Sequence, residues 1–151
     1  MFGSWICYLI YIDHYRATED EVTVRSTFCT SPAIRNFKNN FFSEAFGTFI
    51  LVFGVLFIVN PNIDLNNSPI DNFGIGSLEA LPVGLLVIVI GMTLGGTTGY
   101  AINPARDFGP RIVYSFLPRK NKNPDWKYSW IPVLAPFTGG TIAGLIYHLI
   151  S

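Results

Sequence analysis

The sequence predicts an all-α membrane protein, a helical bundle of three spanning helices and one re-entrant half-helix. Three observations lead there. Half of the residues are hydrophobic and only 13% are charged, against about 25% charged in an ordinary soluble domain. The apolar residues come in blocks almost free of charge. One later segment, opening at Asn103-Pro104, has the chemistry of a helix start but is followed by too few residues to cross a bilayer.

A hydrocarbon core about 30 Å thick takes roughly 20 helical residues, and each element is read against that length. The apolar run Phe2 to Ile12 is too short to span, and Met1 to Trp5 lacks the basic residues of a signal peptide. Residues 1–12 read as the end of a membrane helix, with an interfacial anchor as the alternative. Residues 13–40 are polar and read as a connecting loop outside the bilayer. The first full span, 41–59, carries one charge, Glu44. The segment 60–78 is rich in Asn, Asp, Pro and Gly, the residues that end one helix and delay the next.

The second span, 80–98, lies within a stretch free of charge between Glu79 and Arg106. Gly84, Gly91 and Gly95 share one face of it and predict a close contact along the helix. The third span, 129–150, has no Asp, Glu, Lys or Arg, and Gly140 and Gly144 form a second small-residue pair within it. Tight packing alone would explain both patterns. Most of the remaining cations fall in the loop from Leu117 to Lys127.

The segment 99–116 carries the chemistry. Asn is a favoured N-cap and Pro is favoured at the first helical position, so Asn103-Pro104 starts a helix. Pro118 and the cationic loop limit that helix to 104–116. Half a span between two full ones reads as re-entrant, and non-helical backbone at that depth must be buried in protein or line a hydrated cavity. As a cap, Asn103 accepts an amide of the new helix through its oxygen and keeps its NH₂ free to donate. A neutral donor beside a positive helix end orients a water or hydroxyl oxygen and repels cations. Arg106 adds a permanent charge in the first turn; it either faces the same path or snorkels to the interface.

The sequence offers little for other functions. Net charge is zero, which points to neither nucleic acid nor an acidic membrane surface. Cys7 and Cys29 read as unpaired thiols, no histidine has metal-ligand spacing, and no nucleophile or nucleotide-binding motif occurs. Neither an enzyme nor a cofactor is expected.

The run Asn103-Pro104-Ala105-Arg106-Asp107-Phe108-Gly109-Pro110-Arg111, preceded by Gly91, Gly95, Gly99 and Tyr100, resembles the second N-P-A box of the aquaporin superfamily. Asp after Arg is the form of its glycerol-facilitator branch. The resemblance extends from Thr30-Ser31-Pro32 to the C-terminus, essentially over the whole chain. It implies an aquaporin-like bundle, second repeat, with 1–12 the end of the family's third helix. By resemblance Arg106 matches the arginine of the aromatic/arginine constriction, Tyr100 and Gly91 two further walls, and Asn103 the central asparagine. Gly99, Tyr100 and Ala101 match positions whose carbonyls line the pore.

Glu44 resembles the fourth-helix carboxylate that accepts amides of the re-entrant loop; the residues alone equally allow a carboxylate near a helix N-terminus. Small Gly91 would leave space that a His fills in water-selective relatives. Asp107, Arg111, Pro132 and Val133 resemble the glycerol-conducting pattern, whereas the Tyr100 hydroxyl stands where many glycerol channels have Phe. The resemblance implies passive conduction of glycerol, water and small neutral solutes across the lipid bilayer, a plasma (inner) membrane location and a homotetramer.

The sequence departs from the family in having one N-P-A box where members carry two in inverted repeats. The first repeat is therefore expected to be missing, and the chain as given to be a non-conducting fragment; a secondary transporter is the remaining reading. Lys and Arg number four in 13–40, none in 60–79 and six in 106–127. The positive-inside rule alone would put the first and third loops in the cytoplasm, whereas the resemblance implies that 60–79 is cytoplasmic, which is the expected orientation.

Overall fold

The computed structural model describes residues 1–58, 63–65, 68–70 and 76–151. Helices carry the chain: α1 (Phe2–Ile10), α2 (Ile12–Ala17), α3 (Glu21–Ser26), α4 (Phe37–Phe57), α5 (Ala80–Thr98), α6 (Pro104–Phe116) and α7 (Ile131–Ile150). Between α4 and α5 lie an antiparallel ribbon, β1 (Ile63–Leu65) with β2 (Ser68–Ile70), and a 3₁₀ turn, Gly76–Glu79. The rest of the 60–78 loop lies outside the described residues.

Helices α4, α5 and α7 have 21, 19 and 20 residues and are long and apolar enough to cross a membrane. At 1.5 Å per residue the 13 residues of α6 reach only about 20 Å and stop short of the far side. Helix α4 begins four residues before the expected Phe41, because Asn36 caps it: the side-chain oxygen accepts the Asn39 amide at 3.2 Å. That bond draws the polar Lys38-Asn39-Asn40 into the first turn.

Glycines decide the helix contacts, though not the ones expected. At Gly139 of α7 a Cβ would lie 1.9 Å from the Ala45 carbonyl oxygen of α4, so the two backbones touch there. The expected pair does less: Gly140 faces Val52 of α4 at an ordinary 3.6 Å and Gly144 faces open space. In α5, Gly84 meets nothing, while Gly91 and Gly95 are covered by the Tyr100 ring rather than by another helix. The outward face of α5, from Leu81 to Met92, exposes large apolar side chains, Met92 at 83%. Such a face calls for an apolar neighbour, whether lipid or another helix.

Residues 13–40, expected to be a plain loop, instead fold into a cap over α6. Asp20 caps α3 by accepting the Val22 and Thr23 amides, each at 3.1 Å. Tyr8, Tyr15, Val24 and Phe28 then pack with Val113, Tyr114 and Leu117 of α6 and its end. Arg119 fastens the cap, donating to Glu21 at 2.5 Å and to the Thr18 carbonyl at 2.7 Å.

Candidate functional site

The site is built where α5 ends and α6 begins. Gly99 closes α5 in the left-handed region at φ +76°, donating its amide to the Gly95 carbonyl at 2.9 Å. Tyr100 and Ile102 are also left-handed, at φ +37° and +40°. For side chains with a Cβ this costs on the order of 1–3 kcal/mol each and persists only where the surroundings enforce it. Glu44 supplies the enforcement. Almost wholly buried in α4, its carboxylate accepts the Ala101 amide at 2.9 Å and the Ile102 amide at 2.7 Å.

Charge-assisted bonds of this kind are about twice as strong as neutral ones, and here they hold the turn between two helices. A Cβ on Gly47 of α4 would come within 3.0 Å of Ile102, so shape reinforces the hydrogen bonds.

Asn103 follows in extended conformation and caps α6, its Oδ1 accepting the Ala105 amide at 2.9 Å and the Arg106 amide at 3.3 Å. Its NH₂ group and the Arg106 guanidinium make no hydrogen bond among the described residues, and Asn103, Ala105 and Arg106 are all exposed. One surface thus presents a neutral amide donor, a cation and the positive end of α6 together. Ala101 and Ile102 are buried beneath it, and Tyr100 stands at its edge, 37% exposed.

The Tyr100 ring lies flat against α5. A Cβ at Gly91 would fall 3.1 Å from its ring and one at Gly95 2.9 Å from it. The space over Gly91, read from the sequence as an opening, is therefore occupied by Tyr100, and the two expected walls form one.

Asp107 and Arg111 point the other way and are completely buried. The Arg111 Nε donates to Asp107 Oδ1 at 2.8 Å and its Nη2 to Oδ2 at 3.0 Å and to the Thr30 carbonyl at 2.9 Å. Nη1 reaches the Pro124 carbonyl at 2.5 Å and the Asp125 carbonyl at 3.2 Å. Asp107 in turn accepts the Thr30 amide and hydroxyl, both at 2.7 Å. The Thr30 methyl rests 3.3 Å from where a Gly99 Cβ would be, so the same residue touches the left-handed turn. Pro132 is buried in the first turn of α7. Val133 lines a hollow of about 450 Å³ with Pro104, Ala105 and Phe108.

The bonds that Thr30 and the Pro124 and Asp125 carbonyls make were not expected from the sequence. Their contacts join residues far apart in the chain, and backbone oxygens carry no side-chain signature. Both cysteines are free. Burial in the cap pushes the Cys29 thiol up to about 11, which keeps it protonated and unreactive.

Residues 2–147 match the family described as major intrinsic protein. The chain is 43% identical over 149 residues to glycerol uptake facilitator protein 3 of Lactiplantibacillus plantarum, covering 98% of this chain and 58% of that protein. It is 47% identical over 151 residues to the D/L-lactic acid transporter of the same organism, covering 97% of this chain and again 58% of the relative. The X-ray structure of the aquaglyceroporin from Plasmodium falciparum superposes with a TM-score of 0.74 at 28% identity, over 97% of this chain and 57% of that one. The chain thus spans somewhat more than half the length of the proteins it matches. With its three membrane-length helices, its half-helix capped by Asn103 and this breadth of similarity, the chain belongs to the major intrinsic protein family and is an integral membrane protein.

Proposed function

We propose that the protein formed with this chain passes glycerol, other small neutral solutes and water passively down their gradients, without a covalent step or cofactor. One observation carries the reading: Asn103 and Arg106 are exposed side by side at the start of α6, with their amide and guanidinium donors unused among the described residues. A polyol hydroxyl lowers its desolvation cost by accepting from these donors, while the helix end and Arg106 repel cations and protons. The carbonyls of Gly99, Tyr100 and Ala101 are the acceptors on the path, and the Tyr100 ring on Gly91 and Gly95 is its apolar wall. The similarity to glycerol uptake facilitators supports this solute class.

Asp107 and Arg111 serve by holding the half-helix, since their charges cancel in the interior. A coupled transporter would need ion ligands in the spans. Glu44 is the one carboxylate in α4, α5 and α7, and a single carboxylate already holding two amides is too small a ligand set for a coupling ion. The proposed assembly is a homotetramer in the plasma membrane with residues 60–79 cytoplasmic. Arg35, Arg111 and Arg119 are each paired with a carboxylate, so the cation count of residues 13–40 and 106–127 overstates their free charge.

A small hydroxy acid crossing in its neutral form is a second reading, favoured by the similarity to the lactic acid transporter. Its mark is lactate flux that rises as pH falls while glycerol flux stays constant.

The donor face lies on the surface of the 151 residues, so an enclosed path needs a further wall. In liposomes the chain alone is expected to insert but to leave glycerol permeability at the lipid control. Joined behind the amino-terminal portion of the Lactiplantibacillus facilitator, it is expected to give glycerol efflux well above that control. Efflux at the lipid level, with incorporation equal to that of the intact facilitator, rejects the proposal.

A further inference from the structure

Tyr128 lies in the turn before α7 with none of its surface exposed, and its hydroxyl has no hydrogen-bond partner among the described residues. Its ring is roofed by the Arg35 guanidinium at 5.7 Å, and that arginine is held by Asp125. Tyr128 forms a buried cluster with Ile131 and Ala135 of α7, and Phe41 and Ala45 of α4 pack against that cluster. Glu44 follows Phe41 by three residues and precedes Ala45, so it shares the face of α4 that meets the Tyr128 cluster. Burial is the main influence on the phenol and pushes its pKa up; Glu44 and Asp107 add to this, and Arg111 and Arg35 oppose it.

A buried phenol with no acceptor is a costly arrangement, and buried polar groups are almost always satisfied by protein or by ordered water. Each oxygen of Glu44 spends one lone pair on an amide of the left-handed turn and has capacity for a second bond. We infer that a buried water binds between the Tyr128 hydroxyl and the Glu44 carboxylate, accepting from the first and donating to the second. Tyr128 is then a positioning residue: through the water it fixes the Glu44 clamp, and through the clamp the backbone from Tyr100 to Ile102. The significance of that backbone rests on the conduction reading above, but the water site does not.

Two measurements on the full chain in detergent test the inference without measuring flux. In the Raman difference between wild type and Tyr128→Phe, the tyrosine doublet is expected to show a hydrogen-bond donor; the signature of a free buried phenol overturns the water site. In thermal unfolding, Tyr128→Phe is expected to lower the midpoint, and to lower it by less than half as much when Glu44→Gln is already present. Equal shifts in both backgrounds show an isolated core contact and overturn the link to Glu44. Should Glu44→Gln fail to fold, isotope-edited infrared replaces it. The glutamate carboxylate stretch is expected to shift on Tyr128→Phe, and an unmoved band overturns the link. A chain that meets these expectations but fails to conduct in the joined channel refutes the conduction reading alone.

Discussion

Arg106 and Arg111 sit in the same half-helix, a turn and a half apart, and have opposite fates. Arg106 is exposed, with its guanidinium unbonded among the described residues. Arg111 is wholly buried and bonds to one carboxylate and three carbonyls. The difference teaches that an arginine in a membrane segment is costly in both places, but the cost is met in different ways. A buried guanidinium is satisfied by protein at once; an exposed one stays available to whatever passes. The first holds the half-helix, and the second belongs to the proposed path.

Substitutions can break or sharpen this contrast. The largest effect is expected for Arg111→Ala, which leaves Asp107 buried without its partner. Losing one member of a buried pair costs about 3–5 kcal/mol, read as a large fall in the unfolding midpoint in detergent, and a stability equal to wild type would dismiss the staple. Glu44→Gln comes next. It exchanges two charge-assisted bonds for one neutral acceptor, and a cost of about 1.5–3 kcal/mol is expected by the same assay.

Arg106→Ala is expected to change stability by no more than about 0.5 kcal/mol, as at a surface position. In the joined channel it should instead admit protons or cations, detected with a pH dye in liposomes; retained exclusion would make Arg106 merely positional. The smallest structural effect belongs to Asn103→Asp. Asp and Asn cap helices about equally well, so the unfolding midpoint should hardly move. Glycerol efflux should nonetheless fall, since the amide donor becomes an acceptor-only anion. Unchanged efflux at equal incorporation would remove Asn103 from the path.

How much could be read in advance follows from where the information lies. The all-α membrane class was legible because spans need long uncharged runs, and Asn103-Pro104 was legible because capping is local. What escaped depends on partners distant in sequence. Tyr15, Val24 and Phe28 are scattered through a polar run without period, and they form a core only because α6 supplies Val113 and Tyr114. Spacing drew attention to Gly140 and Gly144, whereas the crossing of α4 and α7 fell on Gly139. Gly91 looked like an opening because its neighbour in space, Tyr100, is nine residues away and turns back over it through a left-handed backbone that few residues adopt.

The Arg111 staple also sets an order of events during synthesis. Its guanidinium needs oxygens from Thr30, made long before it, and from Pro124 and Asp125, made after it. While the chain is being extended, α4 and α5 can enter the bilayer on their apolar character alone, but α6 lacks the length to do so. Until residue 125 has emerged, Arg111 has only part of its partners. The full set of bonds that joins the cap, the half-helix and the third loop can therefore exist only once residue 125 has been made.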